Sequence, residues 1–301
     1  MILCIGEILA DMFGKKNADG ESFSFHAGGA PFNVACCIAR LGGNASFAGR
    51  VGADLIGDKL LEFANVRGLK NLRLQRDEER NTTLAFVSLD ETGERNFCFY
   101  RKNTADSFID FADVLPLIRE ADVVHIGSLM LSEAHGREFA NLVADAVHKS
   151  GKLLGFDVNY REDIYSDAEE AARISREYIA KADIVKLSES EVTLLYGNIE
   201  NLRSAAGKNK TVCITMGEQG SVCLHGGEIF KAPTISVDTV DTTGAGDAFY
   251  GAFLLAREEG LSLEKALAFA NVCGALTTTK KGAIEALPTR EQIFLKLSCA
   301  K

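Results

Sequence analysis

The run Asp241-Thr242-Thr243-Gly244-Ala245-Gly246-Asp247, passing directly into the apolar stretch Ala248-Phe249-Tyr250-Gly251-Ala252-Phe253-Leu254-Leu255-Ala256, decides how this chain is read. Two glycines beside the start of a helix leave its first backbone N–H groups open to an anion, and the macrodipole adds to the attraction. Asp247 falls in the first turn of that helix. A proton acceptor next to an anion site supplies the two parts needed to move a phosphoryl group onto a hydroxyl. Taken alone, such a turn is as often a plain tight connection between a strand and a helix, so its surroundings have to carry the argument.

Working outward, short β-branched or apolar runs alternate with longer helical patterns. The runs predict strands at Ile2–Ile8, Ala45–Val51, Val123–Ile126, Lys152–Asp157, Ile184–Leu187 and Val212–Met216. The patterns predict helices near Pro31–Leu41, Leu55–Arg67, Ser132–Lys149, Ala168–Ala182, Gly246–Glu259 and Leu263–Lys280. This alternation is the mark of βαβ units in an α/β fold, with a mostly parallel sheet covered on both faces. Two pieces break it. Asp11–Ala27 has no helical period, and Thr82–Leu89 and Arg95–Tyr100 flank Asp90-Glu91-Thr92-Gly93-Glu94, which reads as a hairpin loop. Both are read as parts of a small β lid, about 11–27 and 82–103, inserted in one continuous domain of residues 1–301. A lid of that kind excludes water from a phosphoryl-transfer site. The alternative is that these are edge strands of the main sheet.

Composition limits the function classes. With 33 basic and 42 acidic residues the net charge is 33 − 42 = −9, and no long basic block occurs. Nucleic acid and anionic membrane are therefore not expected partners, because both favour a Lys/Arg-rich face. The eight cysteines are scattered, without a CxxC pair, and read as free thiols of a reducing compartment. Ile2–Ala10 is apolar but lacks a basic leader and contains Glu7, so it does not read as an export signal. A cytoplasmic protein is expected. No P-loop spacing, HExxH, HRD or DFG pattern is present, and Gly6 does not open a G-x-G-x-x-G turn. A nucleotide must be held by other means, and a dinucleotide oxidoreductase is disfavoured.

A second glycine segment lies near the other end of the sequence: Gly28-Gly29-Ala30-Pro31-Phe32-Asn33-Val34-Ala35, with Gly42 closing the pattern. The glycines allow close backbone approach, and Pro31 and Gly42 suit a helix start and end. Asn33 carries donors and an acceptor suited to hydroxyl groups, or else serves as a helix cap. Asp11, just after the first strand, lies where a parallel sheet opens to ligands. A carboxylate there can accept hydrogen bonds from two adjacent hydroxyl groups.

Together, in this order and at this wide spacing, the two glycine segments resemble the paired signatures of the ribokinase-like (PfkB) carbohydrate kinases. The resemblance runs from Gly6-Glu7 to Leu287-Pro288-Thr289. Within the family, Thr83–Val87, Phe97–Arg101, Ala105-Asp106 and Ala182–Ser188 are most similar to fructokinases, and 2-keto-3-deoxygluconate kinases share much of this pattern. The resemblance implies a three-layer fold with a small β lid and an ATP- and Mg²⁺-dependent transfer to a sugar hydroxyl, most readily of fructose. The alternatives are 2-keto-3-deoxygluconate kinase or ribokinase, or a non-catalytic sugar-binding protein of the same fold. It also implies a role for each site residue. Asp247 would be the catalytic base, and the N–H groups of Gly244, Ala245 and Gly246 the anion hole. Asp11, Gly28, Gly29, Asn33, Arg101, Asn159 and Arg161 would face the sugar or its new phosphate. Lys186, Ser188, Thr215, Gly217, Gly220 and Asn271 would lie toward ATP. Asp241, Thr243 and Gly282 match positions that bind a monovalent cation such as K⁺ in related kinases. The chain departs from the family's Asn-x-x-Glu magnesium motif, carrying Ser188 in place of Asn, so Glu191 would reach Mg²⁺ only through water. A helix start is expected to lower the pKa of Asp247. An exposed edge of the lid is a place where a second copy could pair.

Overall fold

The computed structural model describes residues 1–17, 20–89, 95–161, 164–165 and 167–299. In chain order its elements are β1 (Ile2–Ile5), β2 (Leu9–Asn17), β3 (Gly20–Gly28), α1 (Ala30–Arg40), β4 (Ala45–Gly52), α2 (Leu55–Asn65), β5 (Asn71–Asp77), β6 (Leu84–Leu89) and β7 (Arg95–Tyr100). There follow α3 (Phe111–Glu120), β8 (Val123–Ile126), α4 (Ala134–Lys149), β9 (Leu153–Asp157), α5 (Ala168–Lys181), β10 (Ile184–Ser188), α6 (Glu189–Tyr196) and α7 (Ile199–Ala206). The chain ends with β11 (Thr211–Thr215), β12 (Ser221–His225), β13 (Glu228–Ala232), α8 (Ala245–Glu258), α9 (Leu263–Thr277) and α10 (Arg290–Cys299).

Nine strands form the central sheet in the order β13-β12-β11-β10-β9-β8-β1-β4-β5. It is parallel from β11 to β5 and antiparallel at β11–β12 and β12–β13. The first strand shows why three layers form. Ile2 and Cys4 point into a core shared with Phe32 of α1, Phe253 of α8 and Leu267 of α9. Leu3 and Ile5 point the other way, toward Ile118 of α3, Phe139 of α4 and Tyr178 of α5. A strand alternates its side chains, so an all-apolar strand needs a covering on each face.

The first strand is shorter than predicted, stopping at Ile5 because Gly6 turns out at φ 151° and Leu9 opens the next strand. That next strand belongs to a separate four-stranded sheet, ordered β3-β2-β6-β7. The segments that broke the α/β pattern are therefore strands, and they are not edges of the main sheet. Leu9, Ala85 and Leu129, with Phe99 and Ile164 packed against them, join the smaller sheet to the body. The expected hairpin loop at 90–94 lies outside the described residues.

Candidate active site

The carboxyl ends of parallel strands open a crevice in which α/β proteins hold ligands, and the conspicuous polar residues gather there. A cleft of about 670 Å³ is lined by Asp11, Asn33, Asn159, Arg161, Lys186 and Asp247, together with the turn at Gly244 and Gly246. They come from strands and helix starts far apart in sequence. Asp11 is on β2, Asn33 on the first turn of α1, and Asn159 and Arg161 follow β9. Lys186 is on β10 and Asp247 on the first turn of α8.

Gly244 starts α8 in the left-handed region, at φ 74°, and a Cβ there would lie 2.5 Å from the Cβ of Ala283. Only glycine fits that turn. Of the three predicted N–H donors, that of Ala245 already donates to the carbonyl of Thr242 over 3.3 Å. The Nδ2 of Asn33 donates to Oδ2 of Asp247 over 2.8 Å, which ties the two glycine segments to each other at the cleft floor. Asn33 Oδ1 has no hydrogen-bond partner and remains an acceptor for a ligand hydroxyl. Gly28 lets the backbone press on Asp11, since a Cβ there would lie 2.1 Å from Asp11 Oδ2.

The electrostatics correct one expectation. The Asp247 pKa is raised, not lowered: withdrawal from water in the cleft floor pushes it up, against the Asn33 hydrogen bond and the positive charges of Lys186 and Arg161. Desolvation outweighs the helix start, and the carboxylate is a stronger base for it. Asp11 is pushed up to about 7, mainly by burial, with a contribution from the charge of Asp247 and opposition from Arg161. Lys186 and Asp157 form a buried ion pair, with Nζ 3.0 and 3.1 Å from the two carboxylate oxygens. Burial pulls the Lys186 pKa down, but the carboxylates of Asp157, Glu191 and Asp247 outweigh it and the net shift is upward, so Lys186 is an ammonium.

Other predicted residues have additional or different tasks. Arg101 does not line this cleft. It is buried beside it, with Nε on Asp106 at 2.8 Å and its terminal nitrogens on Ser132, Ser107 and Asp106, and it borders a neighbouring cavity under the smaller sheet. Ser188 and Glu191 form a capping box at the start of α6, and Glu191 Oε1 also accepts the N–H of Tyr160 over 2.7 Å. Each of its oxygens thus accepts one backbone N–H, Oε2 taking that of Ser188 over 2.6 Å. Among the described residues no group of three His, Cys, Asp or Glu is placed to hold a metal. Thr215 ends β11, Gly217 and Gly220 follow it, and Asn271 on α9 spends its amide N–H groups on the carbonyls of Ala232 and Pro233, at 2.9 and 3.1 Å. None of these four lines the cleft around Asp247. Asp241 accepts from the N–H groups of Thr243, at 2.8 Å, and Gly282, at 3.0 Å, bringing the three proposed cation residues into one ring.

The cleft also uses residues that the sequence reading passed over: Glu7, Phe99, Leu129, Thr239, Val240 and Thr242. Glu7 had a legible signal, since it follows the first strand at the ligand edge. Its Oε1 accepts the N–H of Ala30 over 3.1 Å and caps α1, for which the N-cap Gly29 has no side chain to offer.

Comparison with known proteins settles the family. Residues 1–290 match the family described as pfkB family carbohydrate kinase. The chain belongs to the pfkB carbohydrate kinase family. It is 39% identical over 308 residues to a protein of Arabidopsis thaliana named probable fructokinase-2, covering 96% of this chain and 93% of that one. Its structure is similar to the crystal structure of a fructokinase with bound ATP from Xylella fastidiosa, with TM-score 0.91, 29% identity and 100% and 99% of the two chains covered. It is also similar to a double mutant of the fructokinase of Vibrio cholerae O395 in a fructose-, ADP- and potassium-ion-bound form, with TM-score 0.89, 30% identity and 98% and 97% covered. The fold is the ribokinase-like one that the glycine segments implied, and this carbohydrate kinase places Asp247 at the mouth of its glycine turn.

Proposed function

We propose that this kinase transfers the γ-phosphoryl group of ATP to fructose, giving fructose 6-phosphate and ADP. The observation that carries the reading is the Asn33–Asp247 hydrogen bond, which unites a hydroxyl-binding group, a carboxylate base and an anion cradle in one cleft. Asp11 and Asn33, with the backbone at Gly28 and Gly29, hold sugar hydroxyls. Asn159 and Arg161 face the substrate or its phosphate. Asp247 accepts the proton of the attacking hydroxyl as its oxygen reaches phosphorus. Phosphoryl transfer is commonly loose, so positioning counts for more than basicity. The turn at Gly244–Gly246 receives the charge on the transferring group. Thr215, Gly217, Gly220 and Asn271 lie toward the nucleotide side, outside the sugar cleft. Mg²⁺, when bound, neutralises phosphate charge, with Glu191 acting through water, and K⁺ at Asp241, Thr243 and Gly282 steadies the turn.

The small sheet is the lid of this site. Its outer strands β3 and β7 have no further neighbour among the described residues, and they are the edges at which a second copy would pair. Six of the eight cysteines are buried, and all eight are free, in keeping with a cytoplasmic enzyme.

The test is a panel of kcat/KM values for fructose, ribose, 2-keto-3-deoxygluconate and nucleosides with ATP. Fructose leading by tenfold or more supports the proposal. A different leader reassigns the sugar, and no turnover with any of them leaves a sugar-binding protein.

A further inference from the structure

Lys186 is an unusual group for the floor of a sugar cleft. A lysine ammonium has three N–H donors, and two of them rest on the oxygens of Asp157, which is itself 1% exposed. Lys186 is 6% exposed, yet it lines the cleft. Its Nζ lies 3.0 Å from the point where a Cβ on Gly246 would sit, directly behind the turn that opens α8. An ammonium that merely completed a buried pair would gain nothing from this address. Burying an ion pair costs desolvation that its mutual attraction only partly returns, and apolar side chains fill such a space at least as well.

We propose that Lys186 is a catalytic residue that gives its third ammonium hydrogen to the phosphoryl group in transit, and that Asp157 is the residue that positions it. This rests on the kinase reading above. In the step, the sugar oxygen forms its bond to the γ-phosphorus and the proton of that hydroxyl passes to Asp247. The bond from phosphorus to the bridging oxygen breaks, and its electron pair leaves with ADP. Lys186 keeps its own protons throughout. Its work is electrostatic: three phosphoryl oxygens gather charge beside Gly246, where the Ala245 N–H is already partly spent on Thr242. A fixed ammonium replaces what that donor does not supply. Because Asp157 holds it before substrate arrives, little reorganisation is needed at the moment of transfer.

The experiment is steady-state kinetics of three variants with fructose and ATP, read by ADP release, beside thermal unfolding of each. Lys186→Met is expected to lose about 100-fold or more in kcat, with the KM for sugar within about threefold of wild type. Asp157→Asn leaves the ammonium in place but loosens it, and is expected to lose about tenfold in kcat with both KM values nearly unchanged. The double variant Asp157→Leu/Lys186→Met removes both members of the ion pair together. It is expected to unfold near the wild-type temperature while remaining as slow as Lys186→Met, which separates catalysis from folding even if the single variant fails to fold. A double variant within threefold of wild-type kcat overturns the proposal. So does a Lys186→Met protein with raised KM and unchanged kcat, which would make Lys186 a ground-state contact. A wild-type protein that releases no ADP with any sugar overturns the kinase reading itself. Wild-type turnover that survives in the variants overturns only the role of Lys186.

Discussion

At the scale of single residues, the site is a set of carboxyl groups whose environments differ. Asp247 and Asp11 share one cleft, and both are shifted upward, chiefly by burial. Glu7 is shifted further, to about 8, first by burial and also by Asp106, against its own backbone N–H, Arg101 and the Ala30 N–H. Asp106 is itself paired with Arg101 over 2.7 Å, so their charges largely cancel at Glu7. A carboxyl group whose pKa rises on folding binds its proton more tightly in the native state than in the unfolded chain. Its contribution to stability is whole below the unfolded value of about 4.3 and is lost as pH rises through the folded value. For Glu7 the loss runs up to about pH 8. Glu7→Gln keeps an oxygen acceptor for Ala30 and removes the titration. The melting temperature of the variant relative to wild type is therefore expected to climb between pH 5 and pH 9. Parallel melting curves across that range would refute the burial of a titrating Glu7. The role of Arg101, by contrast, was not legible in sequence, because Asp106, Ser107 and Ser132 are brought to it by the tertiary fold.

At the scale of elements, the start of α8 carries the site. Gly244→Ala places a methyl group against Ala283 and forces a left-handed backbone on a residue that resists it. The expected cost is roughly 2–4 kcal/mol of stability, with a fall in kcat beyond what the sugar KM reflects. Denaturant unfolding together with kinetics measures both, and an unchanged variant would show that the turn is not fixed by this contact. The ring formed by Asp241, Thr243 and Gly282 sits against the same turn. Exchanging K⁺ for a bulky organic cation is expected to lower kcat several-fold, and equal rates in the two buffers would remove the cation from the account. Legibility differed from element to element for physical reasons. The helix α8 was plain because its apolar run from Ala248 to Ala256 is too long for a strand. The helix α3 was not, because Pro116 interrupts its pattern. The hairpin of β12 and β13 turns on Gly226-Gly227, at φ 63° and 86°, a glycine pair that marks such a turn, and the sequence reading passed over it.

At the scale of the whole molecule, the chain builds one nine-stranded sheet with helices on both faces and a second small sheet over its ligand edge. That architecture could be read from the alternation of strands and helices, and β2, β3, β6 and β7 of the second sheet lie in or beside the segments where the alternation breaks. The depth of burial around Asp247 could not be read, because it depends on helices and strands far apart in sequence. The central claim is that Asp247, held by Asn33 across 2.8 Å, accepts the proton of a sugar hydroxyl as a phosphoryl group arrives. The most direct measurement is coupled ADP release with fructose for wild type and Asp247→Asn, alongside fructose binding by calorimetry. The account predicts a folded variant that binds fructose within a few-fold of wild type and loses about 100-fold or more in kcat. A variant that turns over at close to the wild-type rate would contradict it.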